Sequence, residues 1–364
     1  MSRRPFREAR ISAAAIAHNV ETMRRLAPAE HTMAVVKADG YGHGAITAAH
    51  AALEAGVDML GVADLDEAFE LRAAGVDAPV LAWLHDPEAD VAAAAEAGIM
   101  IGVNSLDQVR QVAAAGHRGI VHVKVDTGLS RNGVARADWG PVVEELAHAV
   151  DHDGLRLGGV FSHLSNTSPE EDREQIVAFE EFLDAVRSAG LDPGIRHLAA
   201  SAGALDHPAA RYDMVRLGIA LYGLPPEDHH RDLPLRPAME LSAAVVHVKT
   251  VPAGSGVSYG YRYRTARPTR LALVPLGYAD GIPRHTDGAS VQIGEHRLPV
   301  VGRVAMDQFV VDAGEAPVSV GDRVVLFGDP ATGAPTSVDW ADAAGTIGYE
   351  IVTRLGRRVT RTRA

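Results

Sequence analysis

Cysteine is absent from all 364 residues, which excludes disulfides and thiol catalysis. Lysine is nearly absent, with three residues against 32 arginines, so each remaining lysine invites a specific question. No apolar run approaches the roughly 18 residues of a membrane span, and the opening MSRRPFREARIS lacks a signal peptide's apolar core. Positive charge is also in deficit: a net charge of −12 argues against a nucleic-acid partner, which needs clustered cations. The short basic patches, Arg3 with Arg4 and the tail 357–363, read as solvated termini. What is present is ordinary globular material, 47% hydrophobic and 23% charged. A soluble cytoplasmic protein with no membrane or nucleic-acid partner is expected.

Two grammars divide the chain. From residue 30 to about 223, short β-branched runs end in Gly, Asp or Asn, and Ala-rich helical stretches follow them. The runs are 32–36, 58–63, 79–83, 99–103, 119–125, 157–162, 195–199 and 213–217. Strand–helix alternation implies right-handed crossovers and a parallel sheet. Eight such units without a GxGxxG motif predict a closed (β/α)8 TIM-type barrel. In 172–188, Ile176, Phe179, Leu183 and Val186 fall at helical spacing and belong to the core. After residue 233, period-two alternation appears in 243–251, 271–276, 290–293 and 306–312, predicting a mainly antiparallel β domain with a helix near 337–355. The boundaries expected are 1–233 for the barrel and 234–364 for the β domain, with N-terminal residues able to pair with the second domain. The Pro- and charge-rich segment 224–236 is the linker.

Catalytic groups of such barrels gather at the carboxyl ends of the strands. The first run ends in Lys37, within AVVKADGYGHG. A lysine rooted in a core strand is partly desolvated, which favours the neutral, nucleophilic amine; the alternative is a lysine that snorkels to solvent. Further along the rim come Tyr41, Lys124, Arg131, His163, His197, Ser201, Arg216, Gly218 and Ile219. Lys124 has an alternative partner in Asp126, Arg131 in a turn cap, and either histidine in a core hydrogen bond. Arg216 cannot shed its charge and must find partners. Backbone N–H groups after the last two strands suit a phosphate. The β domain adds Tyr259 in a Ser/Gly turn, Tyr278 and Met306, while Tyr261 and Tyr263 read as packing aromatics.

These motifs, AVVKADGYGHG, KVDTGLSRNG, IRHLAASAGA, MVRLGIALYG, GVSYGYRYRT, PLGYADGIPR, GRVAMDQ and TIGYEIVTR, resemble those of alanine racemases in order and essentially end to end. The resemblance implies fold type III, pyridoxal 5'-phosphate (PLP) as cofactor, and interconversion of L- and D-alanine that supplies D-alanine for peptidoglycan. Lys37 would hold PLP as a Schiff base and handle the α-proton of the D-enantiomer. Tyr259, reaching in from the second subunit of a homodimer, would handle that of the L-enantiomer. Tyr41, Ser201, Gly218, Ile219 and Tyr349 resemble the phosphate-binding set. Arg216, backed by His197, would face the pyridine nitrogen, and His163 would stack on the ring. Arg131 and the Met306 N–H would bind the substrate carboxylate. Tyr278 would narrow the entrance, and Lys124 matches a lysine often carbamylated. No metal is implied.

Four departures stand out. SHLSNTSPEED replaces the usual THF-x-x-AD, Ala200 stands before Ser201 where Asn is common, Ala305 replaces a frequent Cys, and Asp39-Gly40 replaces Asn-Ala. They bear on substrate range, leaving a broader or paralogous racemase, such as one acting on serine, as the alternative. A PLP-dependent decarboxylase of this architecture would need a cysteine. A non-catalytic PLP-binding barrel would not need the β domain. A metal-dependent hydrolase built on Lys124, His163 and His197 would leave Lys37 without a role.

Overall fold

The computed structural model describes residues 5–115 and 119–364; Arg3 and Arg4 lie outside them. After an N-terminal strand, β1 (Arg7–Ile11), eight strands follow: β2 (His31–Val35), β3 (Met59–Val62), β4 (Val80–Ala82), β5 (Ile99–Val103), β6 (Ile120–Lys124), β7 (Arg156–Phe161), β8 (Ile195–His197) and β9 (Met214–Leu217). They form one parallel sheet in the order β8-β7-β6-β5-β4-β3-β2-β9. β8 meets β9 without a ladder, through an isolated bridge between Ala200 and Arg216 and the bond from Arg216 N–H to Ala199 O (3.1 Å). The result is a nearly closed eight-stranded TIM-type barrel. Its strands lie within one or two residues of the predicted runs, because strands buried on both faces are near-continuous apolar runs.

Five of the barrel-domain helices start where a side chain caps them. Ser12, Asp64, Asp90, Ser105 and Ser168 each accept the N–H three residues on, a cap contributing about 1 kcal/mol. The helix Pro169–Ser188 adds proline and three acidic residues in its first turn, and it buries Phe179, Phe182, Leu183 and Val186 against the barrel.

The second sheet has nine strands, in the order His247–Val251, Thr269–Val274, Phe309–Gly314, His296–Val301, Ser290–Ile293, Arg323–Phe327, Met239–Ala244, β1 and Thr360–Arg363. All neighbours are antiparallel except β1 with Thr360–Arg363, so the first and last described strands pair side by side in this sheet. Three expectations are corrected. The run 243–251 is two strands: Ala243 and Ala244 pair with Val324 and Arg323, whereas His247–Val251 pairs with Thr269–Leu273. The helix near 337–355 is two helices, Ser337–Ala344 and Gly348–Thr353, separated at Gly345, whose φ of 67° ends the first. The basic tail is not a solvated terminus. Arg358 is bonded to Asp280 and Asp307, and Arg361 donates to the carbonyls of Gly42, Leu355, Gly356 and Val359. Asn19, fully buried, bonds Leu221 O and Arg236 O and accepts from Arg236 N–H, tying a barrel helix to the linker. Among the described residues no helix is long and apolar enough to cross a membrane.

Candidate active site

Lys37 follows the buried end of β2 at the carboxyl mouth of the barrel. Its pKa is lowered from that of a free lysine, first by burial and then by the Arg131 cation; Glu67 opposes the shift and Arg216 adds to it. Glu67 is engaged elsewhere, accepting from Ala38 N–H (2.6 Å) and Ala63 N–H (2.8 Å). The chain beyond Lys37 winds through a left-handed turn, with φ of 53° at Ala38, 52° at Asp39, 60° at Gly40 and 53° at Tyr41. Each non-glycine residue there costs about 1–2 kcal/mol, so the turn must be held by its surroundings. Asp39 Oδ1 accepts Ala45 N–H (3.0 Å), and buried His43 bonds the carbonyls of Gly40 and Tyr41 through Nδ1. Gly42 admits no side chain, since a Cβ would lie 2.2 Å from Val352 O. The turn buries the Tyr41 ring beside Tyr222 (centroids 4.9 Å apart), which raises the phenol pKa to about 12.

Arg216, in the middle of β9, is buried with no carboxylate partner among the described residues. Its Nη1 donates to His197 O (2.6 Å) and meets His197 Nδ1 (3.3 Å), while Nη2 donates to Ser162 O (2.7 Å) and Leu198 O (2.9 Å) and meets His163 Nδ1 (3.2 Å). Burial, followed by Arg131, lowers its pKa only to about 10, so it remains cationic. With His197 Nδ1 accepting from Arg216, its Nε2–H is left to donate to His122 Nδ1 (3.0 Å). Burial, ahead of any neighbouring charge, pushes His197 and His163 well below the usual histidine range and His122 to about 4. His197 also stacks flat on Phe161, with centroids 4.9 Å apart. Lys124, at the end of β6, is lowered to about 8, chiefly by burial and then by Arg216 and Arg131. Asp126 does not bond it; its Oδ1 accepts from the N–H groups of Gly128 and Ser130.

Lys37, Tyr41, Lys124, Arg131, His163, Ser201, Arg216, Gly218, Ile219 and Tyr349 line one cavity of about 410 Å³, with His197 packed behind Arg216. Four of these groups are cations, and no Asp or Glu belongs to the lining. Ser201 Oγ accepts Gly218 N–H (3.2 Å) at one side. Such a cavity suits a multiply charged anion. The other three expected residues stand outside it. Tyr259 is 68% exposed, Tyr278 42% and Met306 54%, and they are neighbours on the second domain. Ser258 Oγ donates to Arg303 O, Tyr278 N–H to Ala305 O and Ala279 N–H to Met306 O. Tyr259 and Tyr261 border a separate hollow of about 630 Å³. Tyr261 is 59% exposed and so not a packing aromatic, whereas Tyr263 is part-buried and donates to Asp312. Sequence reasoning missed His122, Trp83, Phe161 and Asn166. His122 was within reach, because period two in VHVKV puts it on the same face as Lys124.

A family model described as "Alanine racemase, N-terminal domain" matches residues 11–226, and "Alanine racemase, C-terminal domain" matches 238–363. The chain belongs to the alanine racemase family. Membership makes it an isomerase of the racemase kind. The alanine racemase of Thermobifida fusca is 50% identical, covering 98% of this chain and 97% of its own length. That of Mycobacterium tuberculosis is 46% identical, covering 98% and 95%. Among solved structures, the alanine racemase from D-cycloserine producing Streptomyces lavendulae superposes with a TM-score of 0.96 at 43% identity, covering 100% of this chain and 98% of that one. The barrel and the antiparallel domain are therefore the alanine racemase fold.

Proposed function

We propose that the chain interconverts L- and D-alanine with PLP as cofactor, using Lys37 and Tyr259 as acid–base groups on opposite faces of the substrate. The observation that carries this reading is the 410 Å³ cavity, in which Lys124, Arg131 and Arg216 and no carboxylate surround a lysine, Lys37, of lowered pKa. PLP fits that donor set. The side made by Tyr41, Ser201, Gly218, Ile219 and Tyr349 would hold the phosphate, and a Cβ at Gly218 would fall 2.7 Å from Tyr41 Oη, so the close approach there needs glycine. When bound, PLP supplies an electron sink for the substrate's α-carbon.

The remaining work belongs to the protein. Arg216, held by three carbonyl oxygens, would face the pyridine nitrogen and leave it without a proton, since a guanidinium does not give its own up. His197 would keep Arg216 in place, and His163 would lie against the ring. Arg131 and the Met306 N–H would bind the substrate carboxylate. Lys37 Nζ would take and return the α-proton of the D-enantiomer, a task suited to an amine whose neutral form burial favours. The partner subunit's Tyr259 would serve the L-enantiomer. Its absence from the lining of its own chain's cavity supports a homodimer with shared active sites, and Tyr278 would narrow the same entrance. Lys124, with a pKa of about 8, retains enough neutral amine to add CO2; the carbamate would turn a cation into an anion able to orient Arg131. The enzyme would work in the cytoplasm, supplying D-alanine for peptidoglycan.

The test is racemisation by the purified protein, followed by polarimetry on L- and D-alanine with serine alongside, and the α-hydrogen exchange of Tyr259→Phe in D2O. Losing a positioned base costs about 10²–10⁴-fold, so the variant should lose racemisation both ways while still exchanging the α-hydrogen of D-alanine through Lys37. Full activity in Tyr259→Phe, a fully active monomer, or no borohydride-trapped adduct on Lys37 would each overturn the assignment.

A further inference from the structure

A second hollow, of about 730 Å³, lies beside the helix Ser201–Asp206, away from Lys37, and its walls carry Asp172, Asp206, His207, Glu227 and His229. At its edge two imidazoles converge on one carboxylate. His229 Nε2 lies 3.2 Å from Asp206 Oδ2 and 3.3 Å from Oδ1, and His230 Nε2 lies 2.9 Å from Oδ1. The two rings are tilted against each other with centroids 3.9 Å apart. Asp206 ends its helix, whereas His229 and His230 occupy the short turn Asp228–His230 in the linker, more than twenty residues on. Among the described residues no Lys or Arg forms an ion pair with Asp206; its charged partners are these two histidines alone. With the ring protons on Nδ1, the cluster offers one anionic oxygen and two Nε2 lone pairs.

We propose that Asp206, His229 and His230 form a binding site for a borderline divalent cation, with Zn²⁺ as the best match. Imidazole and carboxylate together are the donor set such ions take, at about 2.0–2.2 Å from the metal. Ligands at that distance around a tetrahedral centre stand about 3.3–3.5 Å apart; the carboxylate-to-imidazole distances of 2.9–3.3 Å differ from this by only a few tenths of an ångström, and the three donor atoms all lie within 4.8 Å of one another. The buried ring of His230 fixes one ligand, while Asp206 and His229 face solvent and leave the fourth position to water. The site joins two parts of the fold. Ser201, at the other end of the Asp206 helix, accepts Gly218 N–H in the cofactor cavity, and the turn bearing the histidines leads into the second sheet. A bound ion therefore clips the linker to the barrel and stiffens the connection between the two domains.

The experiment uses untagged holoenzyme freed of metal by chelator, titrated with Zn²⁺ by calorimetry and with Co²⁺ by visible absorption. One ion per chain is expected. Altered second-shell groups alone cost about 10–100-fold in metal affinity, so Asp206→Asn and His229→Ala should each weaken Zn²⁺ at least about tenfold. Both side chains are partly exposed, so both variants should melt like the parent in metal-free buffer; if Asp206→Asn fails to fold, His229→Ala decides alone. Absence of stoichiometric binding by the parent, or parental affinity in a folded variant, would overturn the site.

Discussion

Replacing Lys124 by methionine should make the protein, free of any cofactor, more stable at neutral pH, although it removes a charged group from the barrel-mouth cavity. Lys124 is almost fully buried, and the cations Arg216, Arg131 and Lys37 all act to lower its pKa, opposed by Asp126. A fall from 10.5 to about 8 corresponds to a penalty of about 3 kcal/mol on the charged form. The sign follows from proton binding. Below pH 8 the amine is charged both folded and unfolded, and the folded state bears the full penalty. Between pH 8 and 10.5 the unfolded chain holds more protons, so stability rises with pH. Above 10.5 the penalty is gone. Methionine keeps most of the apolar stem and cannot be charged, so Lys124→Met should gain about 1–3 kcal/mol at pH 7 after lost stem contacts are allowed for. Urea denaturation in CO2-free buffer, compared at pH 7 and pH 10.5, measures the difference. A variant no more stable than the parent at pH 7, or a margin that persists undiminished at pH 10.5, would refute the reasoning.

Other perturbations probe the rest of the site. Arg131 contributes to the lowered pKa of Lys37, so Arg131→Gln should raise it and slow acylation of the Lys37 amine at pH 8 by about 2–10-fold, read by peptide mapping. Gly218→Ala sets a Cβ 2.7 Å from Tyr41 Oη. Overpacking of this kind costs about 1–3 kcal/mol, so PLP should bind about 5–150-fold more weakly. Gly140→Ala, with nothing within 4 Å of its Cβ, should leave PLP affinity unchanged. Trp340 is buried at 1% exposure and donates to Leu326 O (2.6 Å), so Trp340→Ala should cost about 3–5 kcal/mol in chemical denaturation.

Much of this architecture was legible before the fold was known, and the failures share a cause. The eight barrel strands could be read because a strand buried on both faces must be apolar along its length, and Ala-rich helical stretches separate the runs. The run 243–251 misled because apolar residues continue unbroken through Val245 and Val246 while the chain changes partners from one strand to another. Arg358 and Arg361 looked like a solvated tail because their partners, Asp280 and the Gly42 carbonyl, lie 78 and 319 residues away in the chain. His122 shares a strand face with Lys124, but its partner His197 comes from another strand.

The sequence alone determined the order of elements, the strand and helix periods, and the chemical groups carried to the barrel mouth. These follow from residue type and local spacing, which fix the backbone period and the face on which a side chain emerges. Only the tertiary structure decided what those groups become. Arg216 keeps its charge because three carbonyl oxygens meet it, Lys37 and Lys124 lose affinity for protons because burial and neighbouring cations act on them together, and Tyr259 stands outside the cavity of its own chain. Desolvation and Coulomb interaction depend on distances between residues far apart in the chain, and folding alone sets those distances.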